Sequence, residues 1–130
     1  KNGLKALDPK LLPPDFKEGG ELYFERFFDV MKDHATMDQI KNYFSAQSLV
    51  DDVSAFHLSK NNFDIKFLVI GAFHSMYNDG VVKRLKVRNP NSKVLNVEIL
   101  DVNDFEAMDL EDILQDSKYG NRADYIIFTQ

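Results

Sequence analysis

Phe67-Leu68-Val69-Ile70-Gly71-Ala72-Phe73-His74 is the stretch on which the fold turns. It holds a run of large apolar residues with no charge inside it, preceded by Asn61-Asn62 and ended by a glycine. Such a run fits a strand over 63–71 that is covered on both faces, as strands are in a parallel sheet under helices. Downstream, Asn78-Asp79-Gly80 signals a turn, Val81 to Val87 a short helix, and Asn89-Pro90-Asn91-Ser92 its stop. Val94 to Val102 reads as a second strand, Leu110 to Lys118 as an acidic helix closed by Tyr119-Gly120-Asn121, and Ala123 to Thr129 as a third strand. Strand, helix, strand, helix, strand is the order of an α/β fold with a mostly parallel sheet flanked by helices.

Upstream, residues 1–20 hold three of the four prolines and read as a connecting arm, leaving 21–130 as the α/β unit. Glu21 to His34 is apolar at Leu22, Phe24, Phe27, Phe28 and Met31, the spacing of a helix with one wide buried face. Thr36-Met37-Asp38-Gln39 has the form of a capping box and opens a helix expected to run to about Lys60. Its expected apolar positions are Met37, Ile40, Phe44, Val50, Val53 and Phe56. Gln47, Asp51 and Ser54 make a polar stripe one turn below Phe44, which reads either as a solvated flank or as a site-lining face.

The 130 residues are 44% hydrophobic and carry a net charge of −5, so a core can form and no basic face is offered to nucleic acid. The densest basic run, Lys83-Arg84-Leu85-Lys86-Val87-Arg88, reads as a solvated helix end or as a clamp for carboxylates. With no cysteine, a thiolate metal site, a disulfide and a cysteine nucleophile are all excluded. The chain opens without an initiator Met, and upstream residues, with any export signal or lipid anchor, are expected before it. No G-x-S-x-G, H-E-x-x-H or P-loop pattern occurs. Asp104-Phe105-Glu106 and Asp109 to Asp112 look like solvated helix-start acids. His34 sits at a helix end and His57 beside Phe56; neither points to a site. Ligands of open parallel sheets bind beyond the carboxyl ends of the strands, which here means Gly71-Ala72-Phe73-His74-Ser75-Met76-Tyr77. His74 and Tyr77 are both side-chain types that ligate haem iron.

Several of these segments together resemble the ChaN-type haem-binding lipoproteins of the Tiki/TraB-related group. Phe67 to His74 is similar to that family's strand ending in glycine, two residues and histidine. Asn78-Asp79-Gly80-Val81-Val82-Lys83-Arg84-Leu85 is similar to the turn and helix that follow, with Val82 where proline is usual. Tyr43-Phe44-Ser45-Ala46-Gln47-Ser48-Leu49-Val50-Asp51-Asp52 resembles the helix motif with Gln and Asp four apart, though Val53-Ser54 replaces Met-Ala, and Leu11-Leu12-Pro13-Pro14 resembles the connector between halves. The resemblance covers about Leu7 to Ile99 and implies the C-terminal half of a two-part fold. It implies a non-enzymatic haem-binding component of a bacterial haem and iron acquisition system, anchored by lipid at the outer membrane. Its implied partners are the N-terminal half of the same protein, a second copy on haem binding, and an outer-membrane haem receptor. The alternative it leaves open is half of a metal-dependent hydrolase. From location alone, His74 or Tyr77 is the expected iron ligand, Phe73, Met76 and Phe44 the expected walls, Gln47 a site-lining group, and Lys83 and Arg84 the expected partners of the propionates.

Overall fold

The computed structural model describes residues 3–105 and 110–130. Glu21–Met31 is α1, Met37–Lys60 is α2 and Gly80–Arg88 is α3; the shorter α4 is Leu110–Leu114. Strand β1 is Val97–Asp101, β2 Gln115–Asp116, β3 Gly120–Asn121 and β4 Tyr125–Thr129. β1 and β4 pair in parallel with Val97 opposite Tyr125 and Asp101 opposite Thr129, while β2 and β3 form a small antiparallel ladder. The chain is thus a mixed helix-and-strand structure with a small parallel sheet.

α2 begins as its sequence demands. The Thr36 backbone N–H donates to Gln39 Oε1 at 2.9 Å, and the Thr36 hydroxyl accepts from the Gln39 N–H. Its buried face is Ile40, Phe44, Ser48, Asp51, Asp52 and Ala55. The spacing is helical, but Met37 and Val50 of the expected apolar set are exposed and three polar residues take the inner face. Each is satisfied there. The Gly19 N–H donates to Ser48 Oγ at 3.0 Å, and Arg88 grips both oxygens of Asp52 at 3.0 and 2.6 Å. Asp51 is described below. In α1 the buried residues are Tyr23 and Arg26, whereas Leu22 is half exposed. The helix is rotated so that Tyr23, Phe24 and Phe27 all meet the ring of Phe44, at centroid distances of 5.0–5.6 Å.

α3 lies on α2 around Ala55, Val81 and Val82, with Leu85 and Val94 at the margin. Residues of the proline-rich arm run across both helices, where Arg84 donates to the Lys17 carbonyl and Arg88 to that of Pro14.

The expected buried strand over 63–71 is not formed. The chain bends at Asp64 and Ile65 and continues to Gly71 without helix, turn or strand pairing. Phe67 is 91% and Val69 98% exposed. An apolar run is buried as a strand only where neighbours take up its edges and helices cover its faces; among the described residues nothing does. The second and third strands are shorter than expected. The acidic helix stops at Leu114 because Gln115 and Asp116 pair back onto β3. Of the helix-start acids, Glu106 and Asp109 lie outside the described residues.

Candidate functional site

His74 ends a single 3₁₀ turn, Ala72–His74, whose entry residue is Gly71. Its backbone is fixed from behind by Gly80. That residue has a φ of +50°, and a Cβ there would collide with the His74 carbonyl. Glycine at the start of α3 therefore lets the helix sit directly under the histidine.

The imidazole faces α2. Nδ1 lies 2.6 Å from Asp51 Oδ1 and 2.9 Å from Gln47 Nε2. One nitrogen cannot both donate to the carboxylate and accept from the amide. The charge-assisted bond is the stronger, so Nδ1–H goes to Asp51. The Gln47 amide keeps its bond to the Tyr23 hydroxyl at 3.0 Å, and that hydroxyl donates to Asp51 Oδ2 at 2.8 Å. Arg84 NH1 stands 3.9 Å from the same oxygen. Gln47, Tyr23, Asp51 and His74 thus form one chain of hydrogen bonds between α1, α2 and the 71–74 segment. Asp51 and Tyr23 are fully buried, while the His74 side chain is 20% exposed. Nε2 makes no hydrogen bond among the described residues and is the outward nitrogen.

Burial pushes the Asp51 carboxyl above its ordinary range, against the pull of the hydrogen bonds from His74 and Tyr23. Burial, with Asp51 next to it, pushes the Tyr23 hydroxyl well above its usual value, so it remains a donor.

Tyr77 belongs to a different cluster. It is left-handed at φ 60°, and its N–H donates to the Arg122 carbonyl at 2.6 Å. Its ring lies 5.4 Å from Tyr119 and 4.9 Å from the Arg26 guanidinium. Burial raises the Tyr77 hydroxyl. Arg26 is enclosed by Tyr23, Phe73, Tyr77 and Tyr119 and donates NH1 to the Met76 carbonyl at 3.0 Å, and burial lowers its pKa. Nε and NH2 are buried without hydrogen-bond partners among the described residues.

The structure therefore places Gln47 beside His74 and packs Tyr77 against Arg26 and Tyr119. Phe73 stacks on Tyr23 and packs against Phe27, and Phe44 is buried among the α1 rings. Met76 places its carbonyl on Arg26. Arg84 turns inward, donating to the Gly80 and Lys17 carbonyls, whereas Lys83 is exposed beside Asp79. Lys83 and Arg84 line a cavity of about 550 Å³ with Asp52, Phe56 and Arg88; a second, of about 340 Å³, lies between Gly20, Phe24 and Phe44. Neither is lined by His74. Tyr23, of the His74 hydrogen-bond chain, and Arg26, at the centre of the aromatic rings, were not singled out from the sequence. A tyrosine and an arginine at positions of α1 that alternate with phenylalanines were the available signal, because a hydroxyl on a buried face needs a partner.

No family model, curated protein or solved structure matches the chain.

Proposed function

We propose that this protein is a haem-binding component of a bacterial haem and iron acquisition system, and that His74 Nε2 is its iron ligand. The observation that carries the reading is the 2.6 Å contact of His74 Nδ1 with buried Asp51. A histidine that ligates a metal through one nitrogen characteristically gives the other N–H to a carboxylate, which fixes the tautomer and raises the basicity of the ligating atom. The porphyrin supplies four nitrogens itself, so a haem site needs only an axial ligand from the protein. His74 fits that role. Arg84, turned inward, is less suited to a propionate than exposed Lys83. On this reading the chain is the C-terminal half of a ChaN-like fold at the cell envelope, and the N-terminal half of the same protein supplies the facing side of the site.

Haem titration of the protein, followed in the Soret band, tests this. The His74→Ala variant is expected to lose the Soret shift and Tyr77→Phe to keep it. Parent-like binding by His74→Ala would overturn the assignment.

The same pair also favours a second reading. An Asp-held imidazole can bind a bare divalent ion as part of a hydrolase, with further ligands from residues outside this chain. Metal analysis of the purified protein and chelator-sensitive ester or peptide hydrolysis separate the two; a metal-free protein without such turnover excludes the hydrolase.

A further inference from the structure

Two glycines flank the His74 turn, and the fold needs only one of them. Gly80 is at φ +50° with the His74 carbonyl where its Cβ would stand, so a side chain does not fit there. Gly71 is different. Its backbone is extended, at φ −60° and ψ 140°, a conformation open to every residue. A Cβ on it would meet, among the described residues, only the Cδ2 of His74, at 3.8 Å, which is an ordinary van der Waals contact. The position is exposed. Its carbonyl accepts the His74 N–H at 3.0 Å, a bond that any residue can make. A side chain at such a position restricts the unfolded chain and thereby favours the folded one. Neither the backbone nor the packing accounts for the glycine.

What the missing side chain leaves clear is one edge of the imidazole. Nδ1 is turned to Asp51, and Nε2 is the outward nitrogen. Cδ2 is the ring carbon bonded to Nε2, so Gly71 stands beside the edge that meets a ligand. The width of the ligand decides whether this matters. A single metal ion sits about 2 Å from Nε2 and keeps to the line of that nitrogen. A porphyrin holds its iron on the same line but spreads a flat ring system on every side of it, close to the Cδ2 edge. A side chain that starts in contact with Cδ2 and extends outward enters the space of the ring system but not that of the ion. We propose that Gly71 determines the specificity of the His74 site by giving clearance to a broad planar ligand. This rests on the haem reading and sharpens it: the ligand class is a metal macrocycle and not a bare ion. The glycine gives up stability of the fold for room at the ligand.

The test uses the full chain, the parent beside Gly71→Ala, Gly71→Val, Gly71→Leu and His74→Ala. Three quantities are read: haem affinity from the Soret band, thermal unfolding without haem, and carbethoxylation of His74 by diethyl pyrocarbonate, located by peptide mass. That reagent is small and reports only that an imidazole nitrogen can be reached. Haem affinity is expected to fall as the side chain at 71 grows, by roughly 10-fold or more in Gly71→Leu. The unfolding temperature of Gly71→Ala should equal or exceed the parent's, and His74 should react in all three Gly71 variants as fast as in the parent. Haem affinity that is unchanged across the Gly71 series, where His74→Ala abolishes binding, overturns the role of Gly71 and leaves the haem reading standing. A parent without a Soret shift, or a His74→Ala variant that binds like the parent, overturns both. A lower unfolding temperature in Gly71→Ala, or a His74 that no longer reacts in Gly71→Leu, also overturns the role of Gly71, because the glycine would then serve the fold or mere access to the ring.

Discussion

Asp51 has two oxygens and takes His74 Nδ1 on one and the Tyr23 hydroxyl on the other, inside a fully buried position. The carboxyl is raised, so the folded state holds its proton more tightly than the unfolded chain does. The corresponding stability is complete below the unfolded carboxylate value and is lost as pH rises through the raised folded value. Compared with Asp51→Asn, the parent should therefore be relatively more stable near pH 4 than near pH 7, measured by urea unfolding across that range. A gap that widens as pH rises would sink this account. Ligand affinity should move the other way. On the proposed haem reading, a metal at Nε2 needs the proton on the Nδ1 side facing an ionised Asp51, and Asp51→Asn is then expected to weaken haem binding by about 10–100-fold at neutral pH. Sequence reasoning reached His74, Gln47 and Asp51 separately, by strand end and helix stripe. It could not join them, because contact across 23 residues depends on how α2 is rotated, and its inner face proved to carry polar groups. Tyr77 was legible as a ligand type but not as the side chain stacked on Arg26, since the left-handed backbone at 77 has no signature in a non-glycine residue.

Among the elements, the 71–80 connection fixes where His74 stands. Gly80 is its tightest point. Gly80→Ala has to resolve a collision with the His74 carbonyl as well as a positive φ, whereas Gly120, at φ +85°, has nothing within 4 Å of where its Cβ would lie. Gly80→Ala is expected to cost roughly 3 kcal/mol or more and to displace the imidazole, and Gly120→Ala about 1 kcal/mol. Thermal unfolding of both variants checks the contrast, and equal losses would contradict it. Arg26 joins α1 to the same connection. Its value lies in a flat group stacked among four rings, not in its charge, because two of its nitrogens are buried without hydrogen-bond partners among the described residues. Lysine cannot stack in that way and is more strongly hydrated. Arg26→Lys should lose about 2 kcal/mol or more, and Arg26→Met should lose less, since an apolar side chain of similar length leaves no buried charge. A Met variant weaker than the Lys variant would show that the cation itself holds the cluster.

At the scale of the whole molecule the packing is uneven. α1, α2 and α3 enclose the aromatic cluster and the Ala55, Val81 and Val82 contact, with Arg88 bound to Asp52 across the α2 and α3 pair. Among the described residues the parallel sheet is only β1 and β4, and Val97, Ile99, Tyr125 and Ile127 are exposed on one of its faces. From α3 onward the alternation of helix and strand was legible because hydrophobic period and turn residues are local signals. The size of the sheet was not, because whether an apolar run such as 67–70 is buried depends on which neighbours take up its edges. Parallel sheets are normally covered on both faces, and two strands alone give little independent stability. Local opening should therefore be easier in the sheet than among the helices. Amide hydrogen exchange of the chain is expected to show the slowest exchange in α2 around Phe44 to Ala55, and markedly faster exchange in β1 and β4. Exchange in β1 and β4 as slow as in α2, at a concentration where the protein is monomeric, would mean that the two-stranded sheet is held by interactions other than those between its own strands.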